Sequence, residues 1–212
     1  RKTPLCAVKL DMMKAYDRVE WIFLEQVLAK FGFAPIWIRM IMRCVTSARF
    51  VVKLNGGLSR GFLPSRGLRQ GDLLSSYLLL FCVEGFSALL KAAQQDSSIK
   101  GVSFGSTSPH ITHLLFADDS IVFLEGERSN FEALRDILQV YEEASGQRVN
   151  LQKSSIFFGK GCGNACKTEL QGIIGINSEA LSEKYLGLPT LVGRSKDGTF
   201  KYVKESSAGK VS

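Results

Sequence analysis

The chain has 212 residues, enough to bury a core as one domain or as one domain with a small appendage. A hydrophobic share of 45% with mixed charge excludes an intrinsically disordered protein. Lys and Arg number 27 against 20 acids, a net charge of +7, which suits a polyanionic partner such as nucleic acid without requiring one.

Cys6, Cys44, Cys82, Cys162 and Cys166 are odd in number and mostly isolated in apolar runs. That argues for reduced, buried thiols and an intracellular setting, nucleus or cytoplasm. Cys162 and Cys166 with His110 and His113 make a zinc set on paper, but in no familiar finger spacing, and unpaired cysteines are the preferred reading. The N-terminus, Arg1-Lys2-Thr3-Pro4, has no apolar run of a secretory leader. The longest apolar stretch, Tyr77–Val83, stops at Glu84, too short to span a bilayer, so no membrane partner is expected. The chain starts without Met directly before a strand, as a piece of something longer would.

In chain order, Leu5–Leu10 predicts a short strand with Asp11 at its carboxyl end. Asp17 is placed to cap a helix, with Glu20 as its capping partner. Leu24, Val27, Leu28 and Phe31 follow helical spacing until Gly32. Pro35 opens a second helix whose expected buried stripe is Trp37, Ile38, Ile41, Cys44 and Val45. Arg49–Leu54, Asn55-Gly56-Gly57 and Leu58–Phe62 predict a hairpin. Arg60 and the loop 64–72, with Arg66, Arg69 and two glycines, lead into a long apolar helix near Leu74–Ala93. This loop reads either as an anion site at a helix N-terminus or as a surface loop with solvated arginines. It is not a Walker loop.

A short strand is expected at Gly101–Phe104. His113–Phe123 then predicts two strands around Asp118-Asp119. Two adjacent carboxylates on a hairpin tip repel, and a cation removes that cost; a plain Asx-rich turn explains the same residues. A helix from Glu127 or Arg128 ends at Ser145-Gly146. Short strands at Val149–Leu151 and Ser154–Phe158, a helix at Asn164–Ile174 and a strand with a turn at Lys184–Pro189 complete the pattern. The order predicts an α+β fold, with helices packed on one face of a mostly antiparallel sheet. If the first strand and the Asp118-Asp119 hairpin are sheet neighbours, three carboxylates converge. Such a set suits two Mg²⁺ ions, or Mn²⁺ in their place, about 4 Å apart, for phosphoryl transfer.

Leu10–Val19, Gly67–Ser75 and Leu115–Asp119 resemble three successive motifs of the reverse transcriptase palm, closest to plant-like non-LTR (LINE-type) retrotransposon polymerases. Ser145–Ser154 and Tyr185–Pro189 resemble the two later motifs, so the resemblance runs from about Leu5 to Arg194. It implies an RNA-directed DNA polymerase with RNA template, DNA primer and dNTP as partners; oligomeric state is unspecified. Its domain plan is a palm over 1–160, palm end, primer grip and start of thumb over 161–194, and a polar flexible tail over 195–212. Carried over by position, Asp11 and Asp118 are the principal metal ligands and Asp119 the third acid. The Met12 carbonyl helps hold one ion. Tyr16 sits under the sugar and excludes a 2′-hydroxyl, though on residue type alone it is a core aromatic. Arg69, Gln70 and Gly71 form the turn that meets nucleotide and template. Lys153 is placed near the leaving pyrophosphate as a general acid, with a solvated surface lysine as the alternative. Tyr185, Leu186 and Gly187 match the primer grip.

Leu73 and Ser76 stand where the family usually has prolines, and Met13 where it has a small polar residue. The fingers segments that precede the first motif are missing, and with them basic residues for the triphosphate. A catalytically inactive retrotransposon remnant that at most binds nucleic acid is therefore the alternative. A two-metal nuclease would need neither Tyr16 nor the Arg69-Gln70-Gly71 turn.

Overall fold

The computed structural model describes residues 4–103, 110–116, 119–159 and 161–179, and the backbone of 184–185 and 188–189. Its centre is a four-stranded antiparallel sheet of β1 (Leu5–Asp11), β4 (His113–Phe116), β5 (Asp119–Glu125) and β6 (Ser155–Phe158), in the order β4-β5-β1-β6. Strict alternation makes it one-sided. Cys6, Val8 and Leu10 on β1 and Ser120, Val122 and Leu124 on β5 are buried, while their neighbours stay partly open. The buried side meets α3 (Leu73–Gln95), α4 (Arg128–Ser145) and α5 (Asn164–Ile174) through Phe86, Leu90, Phe131, Leu134 and Leu170. Each such side chain contributes about 1.5–3 kcal/mol on leaving water. The α+β expectation of helices on one sheet face holds.

A second cluster joins α3 to α1 (Trp21–Lys30) and α2 (Pro35–Thr46) through Leu24, Leu28, Ile38, Leu78 and Leu79. α3 thus faces two cores. Its 23 residues are long and apolar enough to cross a membrane by length and composition, which the uninterrupted run Tyr77–Val83 understates. In the fold it is a core helix, with Phe86 and Leu90 in one cluster and Leu78 and Cys82 in the other.

Several local expectations change. α1 begins at Trp21, and its N-cap is Glu20, without a side-chain cap; Asp17 lies in the preceding turn. The α2 stripe is narrower than predicted: Ile38 is buried, but Trp37 and Cys44 are exposed. The Asn55-Gly56 hairpin forms as two-residue strands, β2 (Lys53–Leu54) and β3 (Gly57–Leu58), extended by a Phe50–Phe62 bridge. Asn55 and Gly56 both take positive φ, as a tight hairpin turn demands. Val149 makes a single bridge to Met12 and residues 151–153 turn, so no strand spans 149–151. Val102 likewise makes one bridge, to Ile111. α4 and α5 match their predicted spans, and Gly146 closes α4 in the left-handed conformation.

Contacts divide the chain into two units, Arg1–Ser178 and Glu179–Ser212. In the second, β7 (Lys184–Tyr185) pairs antiparallel with β8 (Leu188–Pro189).

Candidate active site

Asp11 is the last residue of β1 and Asp119 the first of β5, and the ladder sets them directly opposite. Both lie on the half-open face, because the buried face takes Leu10 and Ser120. The Asp11 carbonyl accepts the Asn150 N–H at 2.8 Å, and the Asp11 N–H donates to Ser154 Oγ at 3.1 Å. Both backbone groups therefore point away from β5, so Asp11 and Asp119 form a non-hydrogen-bonded pair, the closer of the two antiparallel pair types. Directly opposed side chains in such pairs start from Cβ atoms about 4.5–5.5 Å apart, and like charges there are destabilising. A cation relieves that cost. Hard carboxylate oxygens suit Mg²⁺ or Mn²⁺ rather than a thiophilic ion.

Asp118 lies outside the described residues, so two of the three expected acids are placed. Asp119 is the first residue of β5, paired with Phe116 of β4. The Met12–Val149 bridge is held by Met13 N–H to the Arg148 carbonyl and Asn150 N–H to the Asp11 carbonyl. It does not use the Met12 carbonyl, which alternation turns toward the β5 side.

The loop 66–70 is laid along residues 16–19. Gly67 N–H donates to the Val19 carbonyl and Leu68 N–H to the Tyr16 carbonyl, each at 2.8 Å. Gly67 is required here twice over: its φ is +91°, and a Cβ would stand 2.8 Å from the Asp17 carbonyl oxygen. Gln70 Nε2 donates to Asp17 Oδ1 at 3.1 Å. Arg69 is paired with Asp72 at 2.8 Å and Arg66 with Glu20 at 3.2 Å. Asp72 also caps α3 through the Leu74 N–H. The acids thus claim both arginines and a helix-terminal donor, so the loop is not an open anion cradle as it stands. Gly71 has φ +84°. The Tyr16 hydroxyl lies 3.3 Å from Ser76 Oγ. Lys153 is exposed in the turn just before Ser154, the residue that holds the Asp11 N–H. Tyr185 is a β7 residue in the second unit; Leu186 and Gly187 lie outside the described residues.

Residues 1–190 match the family described as reverse transcriptase (RNA-dependent DNA polymerase). The chain belongs to the reverse transcriptase family. Among relatives, 67 residues are 48% identical to an uncharacterized mitochondrial protein of Arabidopsis thaliana, covering 32% of this chain and 55% of that protein. Another 29% identity runs over 151 residues of the transposon TX1 uncharacterized 149 kDa protein of Xenopus laevis, covering 71% of this chain and 11% of that protein. The chain thus spans about half the length of one curated relative and about a ninth of the other. The fold is shared with telomerase from Candida tropicalis, solved with a TWJ fragment of telomeric RNA. The TM-score is 0.63 at 16% identity, over 99% of this chain and 34% of that one. Telomerase from Candida albicans gives a TM-score of 0.57 over 95% of this chain and 34% of that one. The resemblance read from the motifs is borne out, with a plant protein and a transposon protein among the relatives.

In this reverse transcriptase chain, four supporting residues carry structure that sequence reasoning left unassigned. Ser154 is fully buried and links the Asp11 N–H to the Asn150 carbonyl. Gln147, also buried, donates to the Ala15 carbonyl at 2.8 Å, and Arg18 donates to the Gly146 carbonyl at 2.8 Å. Ser76 meets Tyr16. The available signal was polar residues bracketing turns, Asn150 with Ser154 and Gly146 with Gln147. The zinc set does not gather: among the described residues no group of three or more His, Cys, Asp or Glu forms a metal cluster. Cys162 and Cys166 do approach each other, Sγ to Sγ 3.2 Å, so they are less isolated than their sequence setting suggests.

Proposed function

We propose that this chain is the palm portion of an RNA-directed DNA polymerase that transfers a nucleotide from dNTP to a primer 3′-hydroxyl on an RNA template. The carrying observation is the Asp11–Asp119 register across β1 and β5. Asp11, Asp119, Asp118 and the Met12 carbonyl would hold two Mg²⁺ ions. When bound, such ions supply Lewis-acid stabilisation of the attacking and leaving oxygens. The remaining roles belong to the chain itself. The Asn150–Ser154 turn fixes the Asp11 backbone from one side, while β5 presents Asp119 from the other. The 66–70 loop runs along Tyr16–Val19, and Gln70 and Tyr16 would orient base and sugar. Lys153, exposed on the adjoining turn, is free to swing toward a leaving pyrophosphate and protonate it.

The test uses the polymerase with its fingers segments joined to this chain, a DNA primer, an RNA template and Mg²⁺. Primer extension is expected. Asp11→Asn and Asp118→Asn should each abolish it with the fold retained. Extension at the parent rate in either variant would remove the metal assignment.

A further inference from the structure

The positive charge of this chain is not spread over its surface. Between Glu25 and Asp72 there is no acid, and eight of the 27 basic residues lie there. The other 19 are outnumbered by the 20 acids. The whole basic excess therefore belongs to one segment, which carries α2, the β2–β3 hairpin and the 64–72 loop.

The pairing pattern sharpens this asymmetry. Among the described residues outside the α2–hairpin region, Arg128 is paired with Glu132 and Glu169, Arg135 with Asp136 and Arg148 with Glu142, while Arg18 donates to the Gly146 carbonyl. Arg66 and Arg69, on the loop, are also paired. Arg39 and Arg43 on α2, and Arg49, Lys53 and Arg60 around the hairpin, are exposed, and among the described residues no ion pair involves them. Five unneutralised cations with no competing acid in the intervening sequence form a local positive field, which a partner of opposite charge would relieve.

The same surface offers flat rings. Phe50 and Phe62 stack on each other at the base of the hairpin, ring centroids 5.9 Å apart, and both are about half exposed. A groove of about 240 Å³ is lined by these two rings, Val45 at the end of α2, and Asp17, Arg66 and Arg69. It joins the hairpin base to the loop that presents Gln70.

We propose that the α2–hairpin face is a binding surface for a single-stranded nucleic acid, with Arg39, Arg43, Arg49, Lys53 and Arg60 on its phosphates and Phe50 and Phe62 against its bases. Exposed rings interleaved with unpaired cations are what a single strand uses, since every base offers a face to stack and each phosphate a charge to neutralise. The choice of RNA as that strand rests on the polymerase reading above; the charge asymmetry does not.

The experiment is fluorescence anisotropy of the whole chain with a labelled single-stranded RNA of about 20 nucleotides, long enough to cover the surface. No metal and no catalysis are needed, so Asp11→Asn should bind like the parent. The triple variant Arg39→Gln, Arg49→Gln, Arg60→Gln should raise Kd at least about tenfold and flatten the log K against log salt slope by about 2, as expected for three lost phosphate contacts on a single strand. A control of the same charge change, Arg128→Gln, Arg135→Gln, Arg148→Gln, should leave Kd within about twofold, because those guanidiniums are already neutralised. All six substitutions are on exposed side chains, and thermal melting verifies that the fold survives. Equal losses in the two triple variants would overturn the inference, as would an unchanged Kd in the first. So would absent RNA binding with arginine-dependent binding to phosphatidylserine vesicles. Each of these leaves the Asp11–Asp119 assignment standing, whereas loss of extension without loss of RNA binding tests that assignment alone.

Discussion

Ser154 Oγ accepts the Asp11 N–H at 3.1 Å and donates to the Asn150 carbonyl at 2.8 Å. One fully buried hydroxyl therefore ties the carboxylate-bearing end of β1 to the turn beside it. Ser154→Ala would leave the Asp11 N–H without its acceptor beside a buried side chain, while the Asn150 carbonyl keeps the N–H groups of Lys153 and Ser154. The expected cost is about 1–3 kcal/mol in chemical denaturation. In the polymerising form it should also raise the Mg²⁺ concentration needed for half-maximal rate. A variant as stable as the parent would show that the hydroxyl holds nothing.

The Tyr16 hydroxyl and Ser76 Oγ lie 3.3 Å apart, and Ser76 stands where the resembled motif usually carries proline. A proline has no hydroxyl to offer, so this contact is a product of the departure. If the ring excludes a 2′-hydroxyl, Tyr16→Ala should lower the preference for dNTP over rNTP by at least about tenfold, the lower end of what one methylene-sized difference between substrates decides in a fitted pocket. Tyr16→Phe and Ser76→Ala each delete the same contact and should shift that preference by equal, smaller factors. The double variant should then be no worse than either single one. Additive effects in single-nucleotide incorporation would mean that the two hydroxyls act separately.

Leu73 is the first residue of α3 and is 83% exposed, so it has little packing to lose. Its N–H is one of the helix-terminal donors without an intrahelical acceptor, and Asp72 before it is extended, at φ −84° and ψ 127°. Both conditions suit proline at 73. Leu73→Pro should therefore stabilise by about 0.4–1 kcal/mol, mainly by restricting the unfolded chain. Thermal melting reads this directly, and a lowered Tm would show that the turn into α3 needs a freedom the structure does not display.

The parts that were legible in the sequence are those where local chemistry and fold agree. The β1 and β5 strands, Gly146 after α4 and Asn55-Gly56 in the hairpin each carry one physical signal and one outcome. The Asp11–Asp119 register was only conditional, because which strands pair is a long-range choice that no window of β1 or β5 contains. The helix start at Trp21 was missed because Asp17 has the chemistry of a cap, yet Gln70, 53 residues on, takes its carboxylate. The Arg66 and Arg69 pairs were missed for the same reason. Cation spacing suggests an anion site, but Glu20 and Asp72 reach the guanidiniums first.

His113 on β4 is wedged between hydroxyls: Nε2 lies 3.0 Å from Ser87 Oγ on α3, and Nδ1 lies 2.8 Å from Thr112 Oγ1. Burial, reinforced by the positive charge of Lys91 and only partly opposed by Glu84, holds its pKa below the ordinary 6.5. The folded state therefore prefers the neutral ring. The stability this contributes is fully present above about pH 6.5 and is lost as pH falls through the unfolded value toward the depressed folded one. The loss falls on the strand that pairs with β5, so β4 should loosen before the helical core does. Melting curves collected from pH 8 down to about 5 should show Tm declining below about 6.5 in the parent. His113→Gln, which keeps polar contact but cannot titrate, should flatten that decline. If both proteins lose Tm in parallel over this window, the proton is being taken up elsewhere, and His113 is a spacer between α3 and β4 rather than a pH-sensitive tie.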